Sequence, residues 1–162
     1  MFTASRSAGL ATAAPRLEVM LRAGPDDRGR VTSTYQRIAV TLVMVLGAAL
    51  LVASGVIHLH LWMNGYGAIH IVGPLFLIQA ISAFAVAAAV VVTRWATAAL
   101  VGAALLIGTF AGLLVSAWHG IFGFQDSLGS SYAGVSLVVE ATGSLVLIAA
   151  AMGRYHLRRR HS

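Results

Sequence analysis

Residues 73–118 read GPLFLIQAISAFAVAAAVVVTRWATAALVGAALLIGTFAGLLVSAW, and Arg94 is the one charged side chain among them. On each side of Arg94-Trp95 runs an apolar stretch of about the 20 residues that a helix needs to cross a bilayer. Backbone groups in lipid have to pair within their own segment, so such stretches are helices. A turn of two residues between them makes the two helices antiparallel neighbours. Pro74 stands at the first turn of its helix, where a missing N–H removes no hydrogen bond.

Working outward, two further stretches have the same character. Spans are predicted at Ile38–Trp62, Gly73–Thr93, Ala96–Trp118 and Gly134–Gly153. The composition agrees, with 59% hydrophobic and 10% charged residues in a chain of 162 and a mean hydropathy of +0.86. Soluble domains run near half apolar and about a quarter charged. The absence of cysteine excludes disulfides, thiolate zinc sites, cysteine-ligated iron–sulfur clusters and cysteine nucleophiles. The expected fold is all-α: a membrane four-helix bundle of two tandem helix–loop–helix hairpins.

All eleven basic residues other than histidine are arginines, and their distribution predicts orientation. Arg6, Arg16, Arg22, Arg28, Arg30 and Arg37 precede the first span, Arg94 sits in the tight turn, and Arg154, Arg158, Arg159 and Arg160 follow the last. The loops at 63–72 and 119–133 contain none. By the positive-inside rule both termini are cytoplasmic. This topology accounts for the whole basic excess, so no nucleic-acid partner is needed. The expected layout is a largely disordered cytoplasmic tail at 1–33, a transmembrane domain at 34–156 and a basic tail at 157–162. Residues Pro15–Arg22 read as solvated tail or as a short interfacial helix, and Met20 is an alternative start. The tail from His156 to His161 reads as an anchor near anionic lipid.

A shift of 61 residues lays the second hairpin over the first without gaps. Gly47 meets Gly108, His58 meets His119, Gly73 meets Gly134, and Gln79 meets Glu140. The expectation is a parallel pseudo-repeat about an axis along the membrane normal, with chance matching of Ala/Gly-rich segments as the alternative. Close helix contacts are expected at small residues, including the Gly108/Gly112 step and a face of Gly47, Ala49, Ala53 and Ser54.

The chemistry-bearing residues gather on the extracytoplasmic side. His58 lies about one turn inside the end of the first span, His60 and His70 follow it, and His119 closes the third. Gln79 and Glu140 each stand six residues beyond the glycine that opens their helix, hence about 9 Å down. A carboxylate within a span costs ~2.5–3.5 kcal/mol on insertion scales, so Glu140 should face the bundle protonated, paired or metal-bound. Hydrogen-bonded glue between helices is the plain reading of such a residue.

Three functional readings compete. In the first, His58, His119 and Glu140 hold a zinc, iron or copper ion with an open position, and Gln79, His70 and His60 support them from behind. In the second, His58 and His119 are axial ligands of a haem b, although no arginine is present on that side to meet the propionates. In the third, the cluster and its aromatic neighbours Trp62, Tyr66, Trp118, Phe122, Phe124 and Tyr132 form a cofactor-free contact surface for a membrane-protein partner or a second copy. A solute pathway lacks a broken helix at mid-span. A Ser116–His119–Asp126 nucleophile lacks any supporting motif, so the chain reads as a binding or accessory protein more readily than as an enzyme.

The stretch His58-Leu-His60-Leu-Trp62-Met-Asn-Gly65-Tyr66, continued by Gly73-Pro-Leu-Phe-Leu-Ile-Gln79-Ala80, resembles a pattern in small uncharacterised four-span bacterial integral membrane proteins (HLxLW…GPLFLxQA). The resemblance covers the first hairpin. It implies a multi-pass protein of the bacterial plasma membrane and lends no catalytic residue. The Ala/Gly/Val/Arg bias fits a high-GC bacterial genome.

Overall fold

The computed structural model describes residues 25–120 and 131–159. The expected tail before Pro25, the loop carrying Phe122, Phe124 and Asp126, and the last three residues lie outside them. Contacts divide the chain into two units, Met1–Ile38 and Ala39–Ser162. The bundle described below belongs to the second.

The described residues form four long helices and no strand. We label them α1 (Pro25–Met63), α2 (Val72–Thr93), α3 (Ala96–His119) and α4 (Ser131–Arg159). All four are long and apolar enough to cross a membrane, which is compatible with a multi-pass membrane protein. Large apolar side chains lie on the outside, among them Leu42, Ile78, Val92, Val101, Val138 and Leu145. That is the surface lipid would cover if the helices are embedded.

The helices outrun the predicted spans at both ends of the sequence. α1 starts at Pro25 rather than at the apolar run of Ile38. Proline suits a first helical position. α4 runs past Gly153 to Arg159, with His156, Arg158 and Arg159 in its last turn, where positive charge is favoured.

Arg94 and Trp95 make the turn between α2 and α3. Arg94 adopts a left-handed conformation with φ 53°, which costs a non-glycine residue ~1–2 kcal/mol. Two hydrogen bonds offset this. The Arg94 N–H donates to the Val90 carbonyl at 3.0 Å, and Arg154 Nε donates to the Arg94 carbonyl at 2.9 Å, tying α4 to the turn.

The half of the bundle next to this turn is densely packed. Met44 and Leu51 of α1, Val90 of α2, Leu106 of α3 and Leu147 of α4 interleave with Ala48, Ala87, Ala99, Ala103 and Ala150. Large side chains seat on glycines of the facing helix: Leu147 on Gly47, Leu51 on Gly102, Leu106 on Gly143 and Val40 on Gly153. Helix association in lipid depends on this kind of close van der Waals fit.

The opposite half differs. α1 leads through Gly65, at φ 119°, into a single 3₁₀ turn at Tyr66–Ala68 and then α2. That φ is costly for any side chain but glycine's hydrogen. The turn packs onto the start of α2 so closely that a Cβ on Gly73 would come within 2.5 Å of the Gly67 carbonyl oxygen. Between the helices at this end, packing gives way to a cavity.

Candidate functional site

The cavity measures about 350 Å³ and draws its walls from all four helices and the Tyr66 turn. Most of its lining is apolar, including Leu75 and Phe76 of α2 and Leu113 of α3. The polar residues Ser82, Thr109, Ser116, Tyr132 and Ser136 are also on the wall, and with them stand the larger polar side chains of His58, Gln79 and Glu140, each buried. These are the residues that stand out in the sequence as polar groups inside apolar spans.

Gly108 and Gly112 face this space. A Cβ at either position would meet nothing within 4 Å, and both residues line the cavity. The expectation that this GxxxG step mediates close helix contact is therefore corrected. The step lies on the cavity side of α3, whereas Gly102, on the packed side, is the α3 glycine that receives its neighbours.

Glu140 is 1% exposed. Its Oε1 accepts a hydrogen bond from the Ser136 hydroxyl at 2.9 Å, one helical turn earlier. The Thr109 hydroxyl flanks the carboxyl from α3, with donor geometry toward the backbone carbonyl of Leu106 at 3.0 Å. Oε2 has no hydrogen-bond partner among the described residues, and the same holds for Gln79 Nε2 and Ser54 Oγ. Buried polar atoms without partners are uncommon and call for an explanation.

His58 approaches the carboxyl from α1, its Nε2 at 3.9 Å from Glu140 Oε1. Its Nδ1 lies 2.9 Å from the Ser54 carbonyl oxygen. A carbonyl only accepts, so Nδ1 carries a proton. The imidazole packs against Phe76 with ring centroids 5.1 Å apart, and Phe76 stacks on Tyr66 at 5.0 Å.

His60 serves the rim. Its Nε2 is hydrogen-bonded to the Tyr132 hydroxyl at 3.0 Å, joining the end of α1 to the start of α4. Asn64 donates to its backbone carbonyl at 2.7 Å. Tyr132 also lines the cavity.

His119 is the last residue of α3 and is exposed, and His70 is exposed in the loop before α2. Neither lines the cavity. Among the described residues no three His, Cys, Asp or Glu side chains converge to hold a metal ion. His58 and Glu140 would supply two ligands, one fewer than catalytic zinc sites draw from protein. The shift of 61 residues pairs like with like at Gln79 and Glu140, both buried, but pairs buried His58 with exposed His119. It also pairs close-packed Gly47 and Gly73 with open Gly108 and Gly134.

Sequence reasoning missed Ser136 as the hydrogen-bond partner of Glu140 and Thr109 as its neighbour on α3. The available signal for Ser136 was its position four residues before a buried carboxyl, on the same helix face. Ser136→Ala leaves Oε1 as unsatisfied as Oε2, and a loss of about 1–3 kcal/mol is expected. Unfolding in mixed micelles measures it, with Ser136→Thr recovering most of the loss.

No protein-family model matches the chain, and neither a curated protein nor a solved structure matches it.

Proposed function

We propose that this is a membrane-embedded binding protein that takes a small, largely apolar molecule into the cavity between its helices and engages it through His58, Gln79 and Glu140. The observation that carries this reading is the conjunction of an apolar cavity of about 350 Å³ with buried polar atoms at Glu140 and Gln79 that no described residue satisfies. Small-molecule sites combine apolar walls with a few placed polar groups, and commonly begin near ~300 Å³. A site used only as glue between helices would pair its polar atoms with each other, and would not retain an opening beside two unsubstituted glycines.

The test is thermal unfolding of the detergent-solubilised chain against a panel of small aromatic and aliphatic amphiphiles. A ligand at a hundredfold excess over its Kd stabilises the folded state by about 2.7 kcal/mol. A panel in which no member raises the Tm overturns the reading.

The proposal places the protein in the bacterial plasma membrane with both termini cytoplasmic, supported by the arginine distribution and by the Ala/Gly/Val/Arg bias of the sequence. The cavity then faces the outer leaflet. Reporter fusions after Ala68 are expected to score as external and fusions after Ser162 as cytoplasmic. An internal reporter at Ala68 contradicts the topology.

A second reading keeps a transition-metal ion at the same place, favoured by the 3.9 Å approach of His58 Nε2 to Glu140 Oε1. Water or the bound molecule would complete its coordination. Elemental analysis of protein purified without chelator or His-tag decides between the two, since the cavity-ligand reading expects no stoichiometric zinc, iron or copper. Haem b requires His119 to leave the exposed end of α3, and a purely structural role in a larger complex leaves the cavity unexplained.

A further inference from the structure

We propose that the molecule this cavity takes is a small lipophilic organic cation, an amine or quaternary ammonium carried on an aromatic or branched apolar body; the proposal rests on the binding reading above. Charge complementarity and aromatic lining argue for it together.

The cavity wall holds one carboxyl group and neither an arginine nor a lysine. Along the sequence, no arginine lies between Arg37 and Arg94 or between Arg94 and Arg154, so the helix ends around the cavity carry none. The nearest candidate counter-charge is His58. Its Nε2 stands 3.9 Å from Glu140 Oε1, an ion pair only when the ring is protonated, and its Nδ1 donates to the Ser54 carbonyl at 2.9 Å. Glu140 Oε2 has no partner among the described residues. In surroundings of low dielectric a carboxylate acts on a cation several ångströms away, so the ligand need not displace the Ser136 hydrogen bond to benefit.

The aromatic rings contribute the second element. Tyr66, Phe76 and Tyr132 all line the cavity, and aromatic faces attract ammonium groups most strongly where water is excluded. Other ligand classes fit less well. An anion would meet the carboxyl with neither an arginine nor a lysine on the wall to offset it. A polyol would find walls that are mostly apolar. A neutral hydrocarbon would leave the buried Glu140 Oε2 without a partner.

The test uses full-length protein in nanodiscs and three probes of nearly one shape: benzyltrimethylammonium, its uncharged carbon isostere neopentylbenzene, and phenylmethanesulfonate. Affinities are read for wild type and for Glu140→Gln, which keeps the shape and removes the charge. The expected result is that the ammonium binds wild type about tenfold or more tightly than it binds Glu140→Gln. Neopentylbenzene should bind both chains alike, and the sulfonate should bind neither. If Glu140→Gln fails to fold, Phe76→Leu serves in its place, with a loss of about threefold or more for the ammonium and none for the isostere. Equal affinity for the ammonium and neopentylbenzene, unchanged by Glu140→Gln, overturns the cation assignment and leaves the cavity a binding site. Preference for the sulfonate does the same. Failure of all three probes to bind wild type overturns the assignment and, together with a silent amphiphile panel, the binding reading itself.

Discussion

Gly143→Val is expected to destabilise the bundle by about 2–3 kcal/mol, near the upper end for overpacked cores. A Cβ at Gly143 would stand 2.6 Å from Leu106 Cδ1 and 3.2 Å from Leu50 Cβ. Leu106 cannot turn aside cheaply, because it is 0% exposed and packs within the cluster of Leu51, Val90 and Leu147. Making room means moving α3 or α1 away from α4, which gives up dispersion contacts along the whole interface. Those contacts matter more than they would in water, since between lipid-solvated helices no hydrophobic term compensates for lost packing. Reversible unfolding in mixed micelles is the measurement. A wild-type midpoint for Gly143→Val would show that the helices are not packed as described.

Gly108→Leu is the counterpart, with the opposite pattern of effects. The position is on a helix of the same bundle, yet a Cβ there meets no atom within 4 Å. The added side chain enters open space beside Thr109 and Gly112 and fills part of a cavity of about 350 Å³. Replacing a mid-helix glycine also recovers most of the ~0.8–1 kcal/mol by which glycine disfavours a helix. Stability should therefore hold or rise slightly, while affinity for any cavity ligand falls about tenfold or more, the cost of about 1.4 kcal/mol of lost contact or added clash. Thermal unfolding with and without ligand reads both quantities in one experiment. Loss of stability in parallel with binding would mean that Gly108 is a packing glycine, and the cavity would lose its main structural support.

The contrast between these two glycines shows where sequence reading stops. The four helices were legible because long apolar runs bounded by arginines admit one kind of structure, and the two-residue turn at Arg94-Trp95 sets the pairing of α2 and α3. Glu140, Gln79 and His58 were legible because a polar side chain within an apolar span has to face inward. The role of Gly108 and Gly112 was not, since spacing places two glycines on one face without saying whether a neighbour or a void lies opposite. Internal similarity misled in one place. It equates His58 with His119, but α1 continues beyond His58 to Met63, whereas α3 ends at His119. One ring is therefore enclosed by neighbouring helices and the other is exposed. Hydroxyl side chains such as those of Ser136 and Thr109 are common in apolar helices, and only the packed structure reveals which of them matter.

The account turns on whether the cavity holds a molecule when the protein is taken from its membrane. Native mass spectrometry of the chain released from lipid nanodiscs, wild type beside Gly108→Leu, addresses this directly. The account predicts a small adduct on the wild-type chain, at no more than one per chain, that Gly108→Leu reduces or abolishes while remaining folded. A wild-type chain free of adduct, or one whose adduct survives unchanged in Gly108→Leu, would contradict it.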